Sequence, residues 1–392
     1  MSVAPHSATH GDTAAMSLMS TRSSAPALRR LEQGFREIAA LRHSSRAHRT
    51  ARANATSSSD VRDAENDSPG TSRPARAPKP LTIYYADWAV VDLPPGHRFP
   101  MDKYAATREA LANDASLRGK VSIVQSPQCT LEELLTTHCP EYVDRVVNLR
   151  LTADDVRKIG FPMERQNVER SLASTGGTIA AAREVLRGEA ECSSQIAGGT
   201  HHAYRDRGEG FCVFNDVACA INVVREEFSD ALNGRRILVI DLDVHQGNGT
   251  AKIFENDAQV VTFSMHGAKN YPIKTREKST HDVELDDDCD DATYLSRLEE
   301  WLPRLFDEYD PALVFFQAGI DALKEDSFGR LAMTRAGMLK RNNAVYSMCI
   351  ARNVPLVITM GGGYSKPIGP SLDAHVDVFR SAALRYTAPS YK

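Results

Sequence analysis

Cysteine is scarce and unpaired in this chain: seven occur in 392 residues, and no two form a CxxC spacing. That pattern excludes a disulfide scaffold and a Cys-rich zinc finger, and it fits a reducing, intracellular compartment. Long apolar runs are also missing. No stretch approaches the ~18 apolar residues a membrane span needs, so none is expected. The start has no short apolar core followed by small residues, which argues against a secretory leader. A net charge of -4 gives no global basic character, and no direct nucleic-acid binding is expected. There is no internal repeat.

Aromatics are nearly absent from the first 80 residues, where Phe35 stands alone and twelve basic residues face seven acidic ones. Ser, Ala, Thr and Arg dominate, and "SPGTSRPARAPKP" (68–80) reads as a Pro-rich linker. Such a composition buries too little apolar surface to offset chain entropy, so 1–80 reads as a disordered extension and 81–392 as one domain. The exception is 25–42, where Leu28, Leu31, Phe35, Ile38 and Leu41 recur at helical spacing beside Arg29, Arg30 and Arg36. An Arg-rich, acid-poor start with one amphipathic helix resembles a mitochondrial or plastid transit peptide; the plain alternative is an extension of a nuclear or cytoplasmic protein.

From Leu81 the texture changes. "LTIYYAD" (81–87), "RILVIDLDV" (236–244), "QVVTFSM" (259–265), "ALVFFQAG" (312–319) and "VPLVITM" (354–360) read as strands. Several are continuous apolar runs, as expected for strands covered on both faces of a parallel sheet. Helical periodicity predicts helices near 166–187, 215–228, 292–308 and 334–351. The alternation predicts an α/β fold, a central parallel sheet flanked by helices on both faces.

Four of these strands run into polar residues: Asp241, Asp243 and His245; Ser264 and His266; Asp321; and three glycines with Tyr364. Ligands of open α/β sheets bind outside the carboxyl ends of the strands. One Asp after a strand is most simply a helix N-cap; four strands converging in this way point to a site. Asp243 and His245 lie on the same side of an extended segment, and carboxylate plus imidazole suits Zn²⁺. Asp321 is the natural third ligand, leaving one coordination position for water and a substrate carbonyl. "GGTHHAYRDRGEGFCVFND" (198–216) adds adjacent His201 and His202, suited to general base and acid work. The phenol of Tyr364, on a glycine loop, could donate to an oxyanion. That loop lacks the Lys-Ser/Thr of a phosphate-binding loop.

At these residues, and in "HRFPMDKY", "DLDVHQGNGT", "MHGAKNYP", "QAGIDAL" and "MGGGYS", the chain resembles the histone deacetylase family, class IV in particular, over roughly 81–375. The resemblance implies an arginase/deacetylase-type fold, one zinc ion held by Asp243, His245 and Asp321, and catalysis by His201 and His202. It implies that Asp241 and Asn248 orient the two histidines and that Tyr364 polarises the carbonyl. Phe211, Tyr271, Gly210 and Gly362 would line the acyl-lysine tunnel. Asp241, Ser264 and Met265, with Asp243 and His245, match a structural K⁺ position. The implied substrate is acyl-lysine on a protein, histones included.

Class I relatives carry Asp where this chain has Asn248, and class IV relatives share the Asn. Asn cannot stabilise an imidazolium by charge, so His202 is expected to be the less basic histidine and the general base. Arginase-like enzymes with two metals have acids where this chain has Gly247 and Leu323, so a single metal is expected. Two other readings remain. An acetylpolyamine or small-amide hydrolase would share the centre, and the acid-rich stretch "VELDDDCDD" (283–291) could draw a cationic substrate. A non-catalytic acyl-lysine binder would need neither dyad nor tyrosine.

Overall fold

A computed structural model describes residues 29–38 and 79–388. Eight strands are present among them: β1 (Leu81–Tyr85), β2 (Val121–Gln125), β3 (Cys192–Gln195), β4 (Ile237–Asp241), β5 (Val260–Gly267), β6 (His281–Leu285), β7 (Leu313–Gln317) and β8 (Leu356–Thr359). They form one sheet in the order β2-β1-β3-β8-β7-β4-β5-β6. Every pairing is parallel. The central strands β4, β7 and β8 are buried at every position, which is why their sequences are unbroken apolar runs.

The helices are α1 (29–38), α2 (Lys103–Asn113), α3 (Leu131–Leu135), α4 (Pro140–Val147), α5 (Ala153–Ile159), α6 (Arg165–Leu186), α7 (Asp216–Glu227), α8 (Ser229–Leu232), α9 (Asn248–Ile253), α10 (Asp291–Tyr309), α11 (Arg335–Arg352) and α12 (Gly369–Tyr386). One layer packs α6 on α7; the other packs α10, α11 and α12 in succession, with α2 against α12. The arrangement is the α/β, arginase/deacetylase type of architecture expected from the sequence. No helix among the described residues is long and apolar enough to cross a membrane.

The five strands and four helices read from periodicity are all present, displaced by a few residues at their ends. Three strands went unread, each for a physical reason. β2 and β6 are the sheet's edges and half-exposed, so they carry no apolar run. β3 is central but reads Cys-Ser-Ser-Gln. Its polar side chains are buried because each is satisfied: Ser193 donates to Glu184 at 2.8 Å, Ser194 to the Thr82 carbonyl at 3.1 Å and Gln195 to Ser126 at 2.9 Å.

The amphipathic stretch at 25–42 is helical over 29–38, where Leu31 and Ile38 are buried in the main core. Gly34 sits over Val147 and Asn148, so α1 docks at the end of α4. Within 1–80, the rest of the predicted disordered extension, including Leu28 and Leu41, lies outside the described residues apart from 79 and 80.

Candidate active site

β4 ends at Asp241, and the chain then bends through Asp243 and His245 instead of staying extended as the sequence suggested, the His245 N–H turning back onto Asp243 Oδ1 at 3.0 Å. Asp321 arrives from the loop after β7, two strands being hydrogen-bonded neighbours. Asp243, His245 and Asp321 are buried, and their ligand atoms lie within 4.8 Å of one another. His245 Nδ1 is 2.9 Å from Asp243 Oδ1 and 3.0 Å from Asp321 Oδ2. One ring nitrogen carries at most one proton, and Asp321 Oδ2 is left buried without a hydrogen bond. The two carboxylates demand positive charge. Against its burial, they push His245 up to about 10, while burial and the neighbouring Asp243 push Asp321 up to about 7. Two carboxylate oxygens and one imidazole nitrogen are a fitting donor set for a divalent metal with an open position.

The cradle is made by absent side chains. A Cβ on Gly319 would collide with Asp243 Oδ2, and one on Gly362 with Asp321 Oδ2. The Gly362 N–H donates to Asp243 Oδ2 at 2.8 Å, and the Val244 N–H to Asp321 Oδ1 at 2.9 Å. Behind the cradle, buried Arg341 donates to the carbonyls of Leu242 (3.0 Å), Gly319 (2.6 Å) and Ala318 (3.2 Å), stapling the ends of β4 and β7 together. At the two positions where a second metal would need acids, Gly247 lies against Asp241 and Leu323 is buried core. Among the described residues the trio is the only group of this kind.

The histidine pair comes from the turn after β3. Asp216 fastens that turn, accepting from the N–H groups of Gly199 (3.0 Å) and Thr200 (2.7 Å), while Gln317 donates to the Gly199 carbonyl at 2.9 Å. The rings of His201 and His202 lie 4.1 Å apart, centroid to centroid. Their surroundings separate them. His201 Nδ1 is 2.7 Å from Asp241 Oδ2; burial opposes its charge, but Asp241 and Asp243 outweigh burial and raise it to about 9. His202 Nδ1 is 2.7 Å from the neutral Asn248 Oδ1, and burial with the charges of His201 and His245 holds it well below the usual histidine range.

Tyr364 follows the glycine loop after β8 and is anchored by its backbone, its N–H donating to Asp326 at 2.6 Å. Burial and the Asp321 and Asp243 charges push its phenol well up, so it stays a proton donor. Its ring lies 6.4 Å from that of His245, which is 6.0 Å from the ring of His202. His201, His202, Asp243, His245, Gly210, Phe211, Gly362 and Tyr364 line one narrow cavity of about 40 Å³. Gly210 and Phe211 both take left-handed backbone, φ 56° and 65°, held by N–H bonds to Lys158 (3.0 Å) and Ile159 (2.7 Å). A Cβ at Gly210 would stand 2.7 Å from His202 Cδ2. Tyr271 packs its ring edge-on to His202 at 5.0 Å and remains 41% exposed, which puts it on the rim.

A family model described as histone deacetylase domain matches residues 97–378. The chain belongs to the histone deacetylase family. It is similar to an uncharacterized protein of Picosynechococcus, 38% identical over 301 residues that cover 76% of this chain and 97% of that protein. Histone deacetylase 2 of Arabidopsis thaliana is 30% identical over 278 residues, 69% of this chain and 70% of that protein. Histone deacetylase RPD3 of Saccharomyces cerevisiae is 27% identical over 326 residues, covering 76% and 70%. Membership supports a deacetylase, and so a hydrolase, and the buried Asp-His-Asp group could hold its metal.

In this histone deacetylase family member, His201, His202, Asp243, His245, Gly210, Phe211, Gly362 and Tyr364 share the cavity, Asp321 joins Asp243 and His245, Asp241 and Asn248 stand behind the two histidines and Tyr271 packs on His202, while Ser264, Met265 and His266 are not among the lining residues. His266 and Ser264 lie inside β5 rather than past its end, and they pair with each other, Ser264 Oγ to His266 Nδ1 at 2.9 Å. Asp241 and Ser264 are register partners on adjacent strands, with Met265 next in β5. The acid-rich stretch has local work: Asp287 pairs with Arg330 at 2.6 Å, Asp290 caps α10, and Asp291 accepts from the Thr334 N–H at 2.8 Å.

Lys103, quoted only as part of "HRFPMDKY", escaped notice. It is fully buried, donates to the Gly361 carbonyl at 3.2 Å, and stands 4.8 Å over the Tyr364 ring. Burial lowers it to about 8, with Asp321 and Asp243 pulling the other way. Its position beside a tyrosine preceded by glycines was not visible from chain order, because 258 residues separate the partners.

Proposed function

We propose that this histone deacetylase family member is a zinc-dependent amidohydrolase of the class IV type, removing acyl groups from lysine side chains of proteins, histones among the candidates. The observation that carries the reading is that both histidines and Tyr364 line one cavity with Asp243 and His245 of the metal-fitting trio, with the His202 imidazole held at low basicity and the Tyr364 phenol kept protonated. Zinc in that trio would polarise the amide carbonyl and acidify a water. His202 Nε2 takes the water's proton as it attacks the carbonyl. Tyr364 donates a hydrogen bond to the developing oxyanion. His201, kept charged by Asp241, is the group suited to protonate the departing lysine amine. Phe211 and Tyr271 flank the lysine stem, and Gly210 keeps room beside His202. A structural K⁺ at Asp241, Ser264 and Met265, with Asp243 and His245, belongs to the same proposal and is supported by the register of β4 with β5.

The test is hydrolysis of matched acetyl-lysine and myristoyl-lysine peptides by zinc-loaded protein, with His202→Ala as control. Release from either peptide, lost in the control, supports the reading and sets the acyl preference. No release from either, with release from acetylated polyamines, replaces the substrate class; binding of peptide without turnover would mark a non-catalytic binder.

A further inference from the structure

Asn248 is neutral, yet it does not stand alone behind His202. Its Nδ2 lies 3.2 Å from Glu209 Oε1, 3.1 Å from the Thr275 carbonyl oxygen and 2.9 Å from Tyr204 Oη. A carboxylate and a carbonyl oxygen only accept hydrogen bonds, so the edge of the Asn248 amide that faces them must be its NH₂. That places the amide oxygen against His202 Nδ1 at 2.7 Å. The oxygen also only accepts, so Nδ1 must carry the ring proton, which leaves Nε2 with its lone pair.

Glu209 organises this arrangement. It is buried, and its single Oε1 also accepts from Tyr271 Oη at 2.5 Å and Thr275 Oγ1 at 2.7 Å. The second acceptor on Asn248, the Thr275 carbonyl, therefore belongs to a residue that Glu209 itself ties down. Its backbone is pinned by mutual bonds with Cys212, at 3.0 and 2.9 Å.

We propose that Glu209 is a positioning residue for catalysis: through Asn248 it fixes the tautomer of His202 that can take a proton at Nε2, and through Tyr271 it joins the substrate rim to the same oxygen. The proposal rests on the acyl-lysine hydrolase reading for its consequence, but the tautomer is a property of the folded chain. All three donors meet the one oxygen, so the acceptor matters and not the charge. Glu209→Gln keeps an acceptor there, whereas Glu209→Leu and Glu209→Ala remove it.

The experiment is long-range ¹H–¹⁵N correlation of ¹⁵N-histidine-labelled full-length protein, read with kcat on the acyl-lysine peptide. Wild type and Glu209→Gln are expected to show His202 protonated at Nδ1, with kcat within about threefold of each other; Glu209→Leu and Glu209→Ala are expected to show mixed tautomers and a kcat lower by about 10–100-fold, the range for loss of an orienting partner. A folded Leu or Ala variant that keeps both the Nδ1–H tautomer and native kcat overturns the proposal. So does a Gln variant that loses the tautomer, and that outcome decides the matter if the other two fail to fold. If wild type hydrolyses no acyl-lysine peptide, the functional reading falls, and the tautomer measurement still judges Glu209.

Discussion

The backbone N–H of Gly362 donates to Asp243 Oδ2 at 2.8 Å, which fastens the loop carrying Tyr364 directly to a carboxylate of the trio that could hold a metal. The bond runs from the end of β8 to the end of β4, across the intervening β7. It couples the Tyr364 loop to the Asp243–His245–Asp321 group.

Gly362→Ala tests that coupling. The added Cβ would collide with Asp321 Oδ2 and stand 2.9 Å from Asp243 Oδ2. Zinc affinity, measured by competition with a chelator, is expected to weaken by about 10–100-fold, as when a supporting contact of a metal ligand is lost. Unchanged affinity would mean that the loop yields without disturbing the ligands.

Tyr364→Phe separates oxyanion stabilisation from metal binding. The phenol remains protonated, and its ring is held by Phe328 at 4.7 Å and Phe99 at 5.9 Å, contacts that Phe retains. Turnover is expected to fall by ~10²-fold or more with zinc content unchanged. Near-normal kcat would exclude the donor role.

Acid should unfold the protein through His138. This ring is buried between α3 and α4, its Nε2 accepts from the Asn215 N–H at 3.0 Å, and burial lowers it from 6.5 to about 4. A histidine depressed in the folded state favours folding while it is neutral. Its contribution is present above the unfolded value and is lost as pH falls from 6.5 toward 4, about 3 kcal/mol in all. Denaturant unfolding between pH 7 and 4.5 should show a steeper loss in wild type than in His138→Gln, which keeps an acceptor without the titration. Parallel curves would assign the acid sensitivity elsewhere.

Arg341→Met should be costly although Arg341 touches no substrate. Its guanidinium satisfies three carbonyls next to Asp243 and Asp321. Leaving them unpaired and buried is expected to cost about 3 kcal/mol or more in urea unfolding and to weaken zinc binding in parallel. A loss of stability without any change in zinc affinity would confine Arg341 to the core.

Much of the site was legible in the sequence because motifs deliver their residues locally. Asp243 and His245 are two residues apart, His201 and His202 adjacent, and Tyr364 closes a glycine run. Apolar strands that must be covered on both faces announce themselves, as β4, β7 and β8 did. The polar β3 did not: a buried Ser-Ser-Gln strand is stable only when distant partners such as Glu184, Thr82 and Ser126 meet it.

The sequence by itself determined the fold class, the metal-fitting trio and the histidine pair, since each depends on short spacings and on the alternation of strand and helix. Only the tertiary structure decided what surrounds them. Glu209 behind Asn248, Lys103 beneath Tyr364 and Arg341 behind the strand ends come from segments remote in chain order. Buried polar groups must find partners wherever the packed sheet brings them, and pairings over such separations leave no periodic trace in one sequence.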